Sequence, residues 1–306
     1  MNRKRKKSGF FIKLGLLLAI LVAVFCGAYF AIDKLLVPKY FKAYGIENMH
    51  DLVSVVKTLY TDPKEKEIIE NGFTPVDKSS AVNKLLEIGF PESSTGGEID
   101  YAKVSDAIGF DIKPGKYTFT DRQVASIVDD MLNDGVLASK LPDLEYINTM
   151  NIKILDLIIT PTLTSQSGGQ YVYAKDKADI KLTFKFDTST IKAQMAKEME
   201  TPSFLLDMVI PKSIYLTCNY SLRMNDQEEW VIFGDCAVNG RDAEDSRILL
   251  NLLIDFIFPE EDQMTIDKLT QVCGDIILQG IGLLGDIEFQ ANIDGFGSNG
   301  VILTME

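Results

Sequence analysis

Leu14 to Ile32 is a run of 19 consecutive uncharged, mostly apolar residues that follows directly on a basic cluster. At 1.5 Å rise per residue, a helix of that length nearly matches the roughly 30 Å hydrocarbon core of a bilayer. The run predicts a single transmembrane helix over residues 10–32, preceded by a short cytoplasmic basic tail at 1–9. A removed secretory signal also begins with basic residues, but its apolar region usually covers only about 7–15 residues and ends at a small-residue cleavage site. No such site stands here. Cys26 makes no lipoprotein signal either, because Phe25 precedes it where a lipobox has Gly, Ala or Ser.

Charge orients the span. Arg3, Lys4, Arg5, Lys6, Lys7 and Lys13 outweigh Lys34, Lys39 and Lys42 just beyond it. The positive-inside rule then places the N-terminus in the cytoplasm and residues 33–306 outside. No second run is long enough to cross: Ile248 to Phe258 is only 11 residues and is interrupted by Asn251 and Asp255. The expected localisation is the cell membrane, single-pass, with a large extracytoplasmic part.

The net charge of −13 conceals this division. The first 13 residues hold six basic side chains and no acid, leaving 25 basic against 44 acidic residues, a net −19, in the remainder. So acidic an exterior lacks the basic surface that a nucleic-acid partner requires, and it opposes lying flat on anionic headgroups. Over the whole chain, the 46% hydrophobic and 25% charged content is that of a globular protein. Cys218, Cys236 and Cys273 are too few for a disulfide scaffold, so an apolar core must hold the fold.

The period of the apolar pattern divides the exterior. Residues 47–60 read as a helix with Met49, Leu52, Val53, Val56, Leu59 and Tyr60 on one stripe. Leu85-Leu86-Glu87-Ile88 runs into Gly89-Phe90, and Val104 to Ile108 runs into Gly109-Phe110, both in the manner of a glycine helix stop. Thr120 with Gln123 forms a capping box for a helix that carries Val124, Ile127, Val128, Met131 and Leu132 on one face, and Asp129 and Asp130 on another. From about residue 150 the period becomes 2. Ile180, Leu182, Phe184 and Phe186 alternate with Asp179, Lys181, Thr183 and Lys185, and Asp187 or Thr188 can cap a helix to about Met199.

Two further strands form a hairpin. If Asn225 to Glu229 are its loop, Met224 faces Trp230 and Cys218 lies opposite Cys236, so that both apolar faces coincide. Cys218 and Cys236 can then be either a disulfide or two packed thiols. Helices follow from about Asp242 to Phe258 and from Thr265 to Leu284, the second carrying Cys273 with Ile266, Leu269 and Ile276. A closing hairpin runs from Ile287 to Met305 through a Gly-rich turn. The expected fold is α+β: one transmembrane helix, a membrane-proximal mainly helical region over 33–145, and a domain over 146–306 of antiparallel sheet with hairpins packed on or wrapped around helices.

Catalytic signatures are missing. His50, the one histidine, is expected on a helix surface, and no nucleophile motif accompanies it. Ser54-Val55-Val56-Lys57 has Ser-x-x-Lys spacing, but Ser105-Asp106-Ala107 lacks the companion Asn, and no Lys-Thr-Gly occurs. No cysteine–histidine spacing suits a metal. The glycines at 295, 297 and 300 lie between strands, without a helix start to cradle phosphate. No catalytic, metal or cofactor residue is expected, and the chain is read as non-enzymatic.

What remains is apolar surface. Phe184, Leu216, Tyr220, Trp230, Ile232, Leu253 and Phe289 define an inner face that is either an ordinary core or the wall of a groove for a lipid chain or another apolar ligand. The passage Tyr117-Thr118-Phe119-Thr120-Asp121-Arg122-Gln123-Val124, followed by hairpins and by the helical insertions between Val238 and Leu284, resembles extracytoplasmic tubular lipid-binding (TULIP-like) and AsmA-type envelope proteins. The resemblance covers about residues 117–306 and rests on element order. It implies a protein that binds lipid or assists envelope assembly and whose partners are the bilayer, through residues 10–32, and a lipid ligand or an envelope protein. The alternative is a structural or regulatory partner of another envelope protein, using the helical segment 47–110 as its contact surface.

Overall fold

The computed structural model describes residues 29–42, 46–60, 72–105, 112–134, 136, 152–167, 170–198, 207, 211–227, 229–241, 250, 266–282 and 286–305. The chain divides into two compact units, Met1–Lys57 and Thr58–Glu306. The predicted transmembrane helix lies outside the described residues except for its last four positions. Among the described residues no helix is long and apolar enough to cross a membrane.

The first unit is held by carboxylate capping. A π-helical turn at Ile32–Leu36 leads into α1 (Val37–Phe41), and α2 (Met49–Leu59) follows. The Asp33 carboxylate accepts the Met49 backbone N–H at 2.6 Å and lies 3.0 Å from Lys34 Nζ. Those contacts hold its pKa below the usual carboxylate value. Asn48 Oδ1 accepts the N–H of Asp51 while the Asp51 carboxylate accepts that of Glu47, which satisfies further donors at the start of α2.

The buried face of α2 differs from the expected stripe. Val55, Thr58 and Leu59 are buried, whereas Val53, Val56 and Tyr60 are 52%, 39% and 53% exposed. A helix with apolar residues over more than half its circumference offers two such faces, and periodicity alone does not choose between them.

In the second unit, α3 (Pro75–Ile88) starts at a Thr74–Asp77 capping box with proline at its first position. It stops as its sequence predicts: Gly89 has φ 112°, donates to the carbonyls of Leu85 and Leu86, and is followed by Phe90, whose N–H returns to Leu85. Phe90 is buried. The second predicted stop, at Gly109-Phe110, lies outside the described residues, beyond α4 (Tyr101–Ser105).

β1 (Gly115–Thr120) runs into α5 (Asp121–Asn133) through the predicted capping box of Thr120 and Gln123. β2 (Lys153–Ser167) and β3 (Gln170–Asp187) form a long hairpin, and α6 (Ser189–Glu198) starts where Asp187 accepts the Ser189 N–H. β4 (Ser213–Met224), β5 (Trp230–Val238), α7 (Ile266–Gly282), β6 (Asp286–Gln290) and β7 (Gly300–Met305) complete the order. The predicted helix over Asp242 to Phe258 lies outside the described residues but for Leu250, which is buried.

All strand pairs are antiparallel, in a four-stranded sheet β2-β3-β4-β5 and a three-stranded sheet β1-β7-β6, so the fold is α+β. α5 lies on β2 and β1, α7 lies on β5 and on α5, and β3 adjoins β6. One ion pair bridges that sheet junction, because Glu288 of β6 receives Lys175 of β3 at 2.9 Å, while Lys116 of β1, in the same sheet as β6, lies 3.7 Å from it. β1 and α5, which precede residue 145, thus belong with the later strands.

Two polar residues that the pattern sets apart from the apolar faces are buried nonetheless. Asp129 turns inward on α5 beside Val128, and Thr183 is enclosed on the other face of β3 from Leu182, where its hydroxyl lies 3.3 Å from that of Thr217.

Candidate functional site

The inner face of the four-stranded sheet gathers most of the residues that the sequence placed on an apolar wall. Alternation sends Leu182 and Phe184 of β3, Leu216, Tyr220 and Leu222 of β4, and Ile232 and Val238 of β5 to one side, where all are buried. α7 presents Val272, Cys273, Ile276 and Ile277, all likewise buried. Its glycines permit the approach. A Cβ at Gly274 would stand 3.1 Å from the Ile232 side chain, and one at Gly280 would stand 3.1 Å from Val128 on α5.

Of the seven candidate wall residues, Phe184, Leu216, Tyr220, Ile232 and Phe289 are buried against protein. Trp230 is half-buried at the rim and meets Phe289 edge to face, with ring centroids 5.4 Å apart. Leu253 lies outside the described residues.

Three thiols meet within this layer. In the β4–β5 register Cys218 stands opposite Cys236 and Met224 opposite Trp230, as the hairpin reading has it. Cys273 joins the pair from α7, and the three thiols are close enough to influence one another's protonation. The three thiols are free and buried. The Tyr220 hydroxyl completes the cluster: it donates to the Thr270 carbonyl at 2.7 Å and lies 4.0 Å from Cys236 Sγ.

The electrostatics of the cluster are uneven. Hydrogen bonds from Cys218 and Cys273, helped by Thr270 and Tyr220, pull Cys236 down to about 4. Burial pushes Cys218 up, with its sulfur neighbours adding to the shift. At Cys273 the bond with Cys218 pulls down, but the bond with Cys236 and burial outweigh it and leave that thiol raised. Burial likewise raises Tyr220, which stays a neutral donor. The three thiols titrate as one coupled set, in which the S–H groups that keep their protons stabilise the anion formed.

No pattern in the sequence connects Cys273 to the cross-strand pair. Its helical period shows that it faces a core, but which core depends on how α7 docks. The Tyr220–Thr270 bond is hidden for the same reason.

A second polar centre lies at the junction of α3, α5 and β2. Asp129 is buried and accepts the Ile154 N–H at 2.7 Å, while Lys78 of α3 pairs with Asp130 at 2.5 Å. Burial raises Asp129 to about 6, against the lowering effect of the Ile154 bond. The nearby Tyr101 hydroxyl is buried and has no hydrogen-bond partner among the described residues. Among the described residues no group of three or more His, Cys, Asp or Glu side chains is arranged to hold a metal ion. His50 is exposed on α2.

No family model, no curated protein and no solved structure matches this chain.

Proposed function

We propose that the chain is a single-pass, membrane-anchored extracytoplasmic protein without enzymatic activity, acting by contact with another envelope protein through its membrane-proximal helical region. The carrying observation is the exposed row of Val53 and Val56 on α2 and Tyr60 just past its end, spaced three and four residues apart. Apolar side chains on the inner sheet face are already engaged with α7 and with one another, whereas these three face outward. A helix face of this kind suits an apolar stripe on a partner helix.

Binding of a lipid chain or other apolar ligand is the second reading. The half-buried Trp230 and its edge-to-face contact with Phe289 favour it, because they form an aromatic rim where the inner face nears the surface.

Photo-crosslinking in native membranes separates the two. A photoreactive residue placed at position 53 should give adducts with one protein species, and these should vanish when Val56 and Tyr60 are both changed to Glu. One at position 230 should stay unmodified by lipid. Lipid adducts at 230 without protein adducts at 53 would transfer support to the second reading, and adducts at neither position would remove both.

A further inference from the structure

Cys218, Cys236 and Cys273 are the only cysteines of residues 33–306, and three separate elements, β4, β5 and α7, bring them together. A pair of facing thiols has two states, reduced or bonded. A third sulfur in reach adds another, because a bond between two of them can be attacked by the one left over.

We propose that the trio is a thiol–disulfide exchange site in which Cys236 is the common partner of two alternative bonds, to Cys218 and to Cys273. Directly opposed residues on antiparallel strands have Cα atoms about 4.5 or 5.5 Å apart, both within the range a disulfide spans. Cys236 Sγ also lies 4.0 Å from the oxygen of Tyr220, whose proton is held by the Thr270 carbonyl. The lowered pKa of Cys236, against the raised values of the other two, agrees with its role as the attacking thiolate.

The chemistry needs a disulfide oxidant of low molecular mass or on another protein. The Cys236 thiolate attacks one sulfur of that disulfide, forming a mixed disulfide and expelling one thiolate. Cys218 or Cys273 gives up its proton and attacks Cys236 Sγ, releasing the second. In total two protein S–H bonds become one S–S bond, and the oxidant becomes two thiols that carry the two protons. Passage of the bond from Cys218 to Cys273 then requires no further oxidant, because the Cys273 thiolate attacks Cys236 Sγ and expels the thiolate of Cys218.

The two bonds have different structural effects. Cys218–Cys236 joins neighbouring strands that are already paired. Cys236–Cys273 fastens α7 to the sheet. The trio thereby sets whether that helix can lift from β5, and entry of an oxidant depends on the same movement because all three sulfurs are buried.

The full chain, in detergent and carrying Cys26→Ala so that only the trio is counted, provides the test. It is equilibrated with a large excess of oxidised over reduced glutathione, quenched in acid, alkylated under denaturing conditions and mapped by peptide mass spectrometry. The expected result is loss of two of three alkylatable thiols, with both the 218–236 and the 236–273 linkages present. Cys218→Ala should retain only 236–273, Cys273→Ala only 218–236, and Cys236→Ala should keep both remaining thiols free. Three alkylatable thiols in the parent chain would overturn the proposal, and so would a 218–273 bond in Cys236→Ala formed as fast as the parent's bonds. Thiol counting in the parent needs no variant to fold.

Discussion

Asp129 of α5 accepts the backbone N–H of Ile154 in β2 at 2.7 Å, so a buried carboxylate ties the helix to the first turn-free stretch of the long hairpin. The bond satisfies a strand donor that would otherwise be enclosed without a partner, yet it leaves a charge in a poorly solvated place. Asp130 on the same helix opposes that charge, and Lys153 of β2 and Lys78 of α3 favour it, but burial outweighs both cations.

The pH dependence follows from this. In the folded chain Asp129 holds its proton up to about 6, against 3.8 for an ordinary aspartate. Below the lower value both states are protonated, and Asp129 introduces no slope. Between the two the folded state alone holds the proton, so stability falls as pH rises from about 4 to about 6, by roughly 3 kcal/mol in all, and stays lost above that. Asp129→Asn keeps an acceptor for Ile154 without the charge. It should raise the unfolding midpoint at pH 7.5 and flatten the fall of stability between pH 4 and 6, measured by denaturant titration at a series of pH values. An unchanged slope would show that the carboxylate titrates normally.

Asn239 sits just past β5 with a positive φ of 48° and uses its side chain three times. Its amide donates to the carbonyls of Thr58 and Leu59 at 2.9 and 3.0 Å, and its Oδ1 accepts the Tyr215 N–H at 2.9 Å. Asn239→Ala removes all three bonds in a buried site and places a less tolerant residue at positive φ. The expected cost is about 2–4 kcal/mol. Thermal unfolding followed by circular dichroism checks it, and a shift within error would mean that water replaces the amide.

Gly300 begins β7 opposite Thr120. A Cβ there would stand 2.0 Å from the Phe119 carbonyl oxygen, a backbone atom that cannot rotate away. Gly300→Ala should separate β1 from β7 and destabilise the chain by about 3 kcal/mol or more. Hydrogen exchange at the β1 amides should rise with it. Retained protection there would show that the strands shift without parting.

Thr120 tests the capping box. Its hydroxyl accepts the Gln123 N–H while Gln123 Oε1 accepts that of Thr120. Thr120→Ala should cost about 1 kcal/mol, and Thr120→Ser very little, in chemical denaturation.

Local physics was readable from the chain. The capping box at Thr120, the glycine stop at Gly89 and the hairpin register that opposes Cys218 to Cys236 each depend on residues near one another in sequence, and each is found where the pattern put it. Contacts that depend on docking were not readable. α2 offered two apolar faces and buries Val55 alongside the expected Leu59, leaving Val53 and Val56 exposed. Asp129 looked solvated because its partner, the Ile154 N–H, is 25 residues away and on another element. At the candidate site, the Cys218–Cys236 pairing was legible, but the arrival of Cys273 depends on where α7 lands.

The pairing of β1 with β7 joins residues 180 to 190 positions apart, from Thr120 with Gly300 to Gly115 with Met305. During synthesis β1 therefore waits as an unpaired edge while the long hairpin, β4, β5 and α7 are made. At ordinary elongation rates of about 5–20 residues per second, that interval is on the order of ten to forty seconds. A strand exposed for so long is a place where a chaperone gains purchase or where two nascent chains join, and so distant a closure makes the last folding step slow.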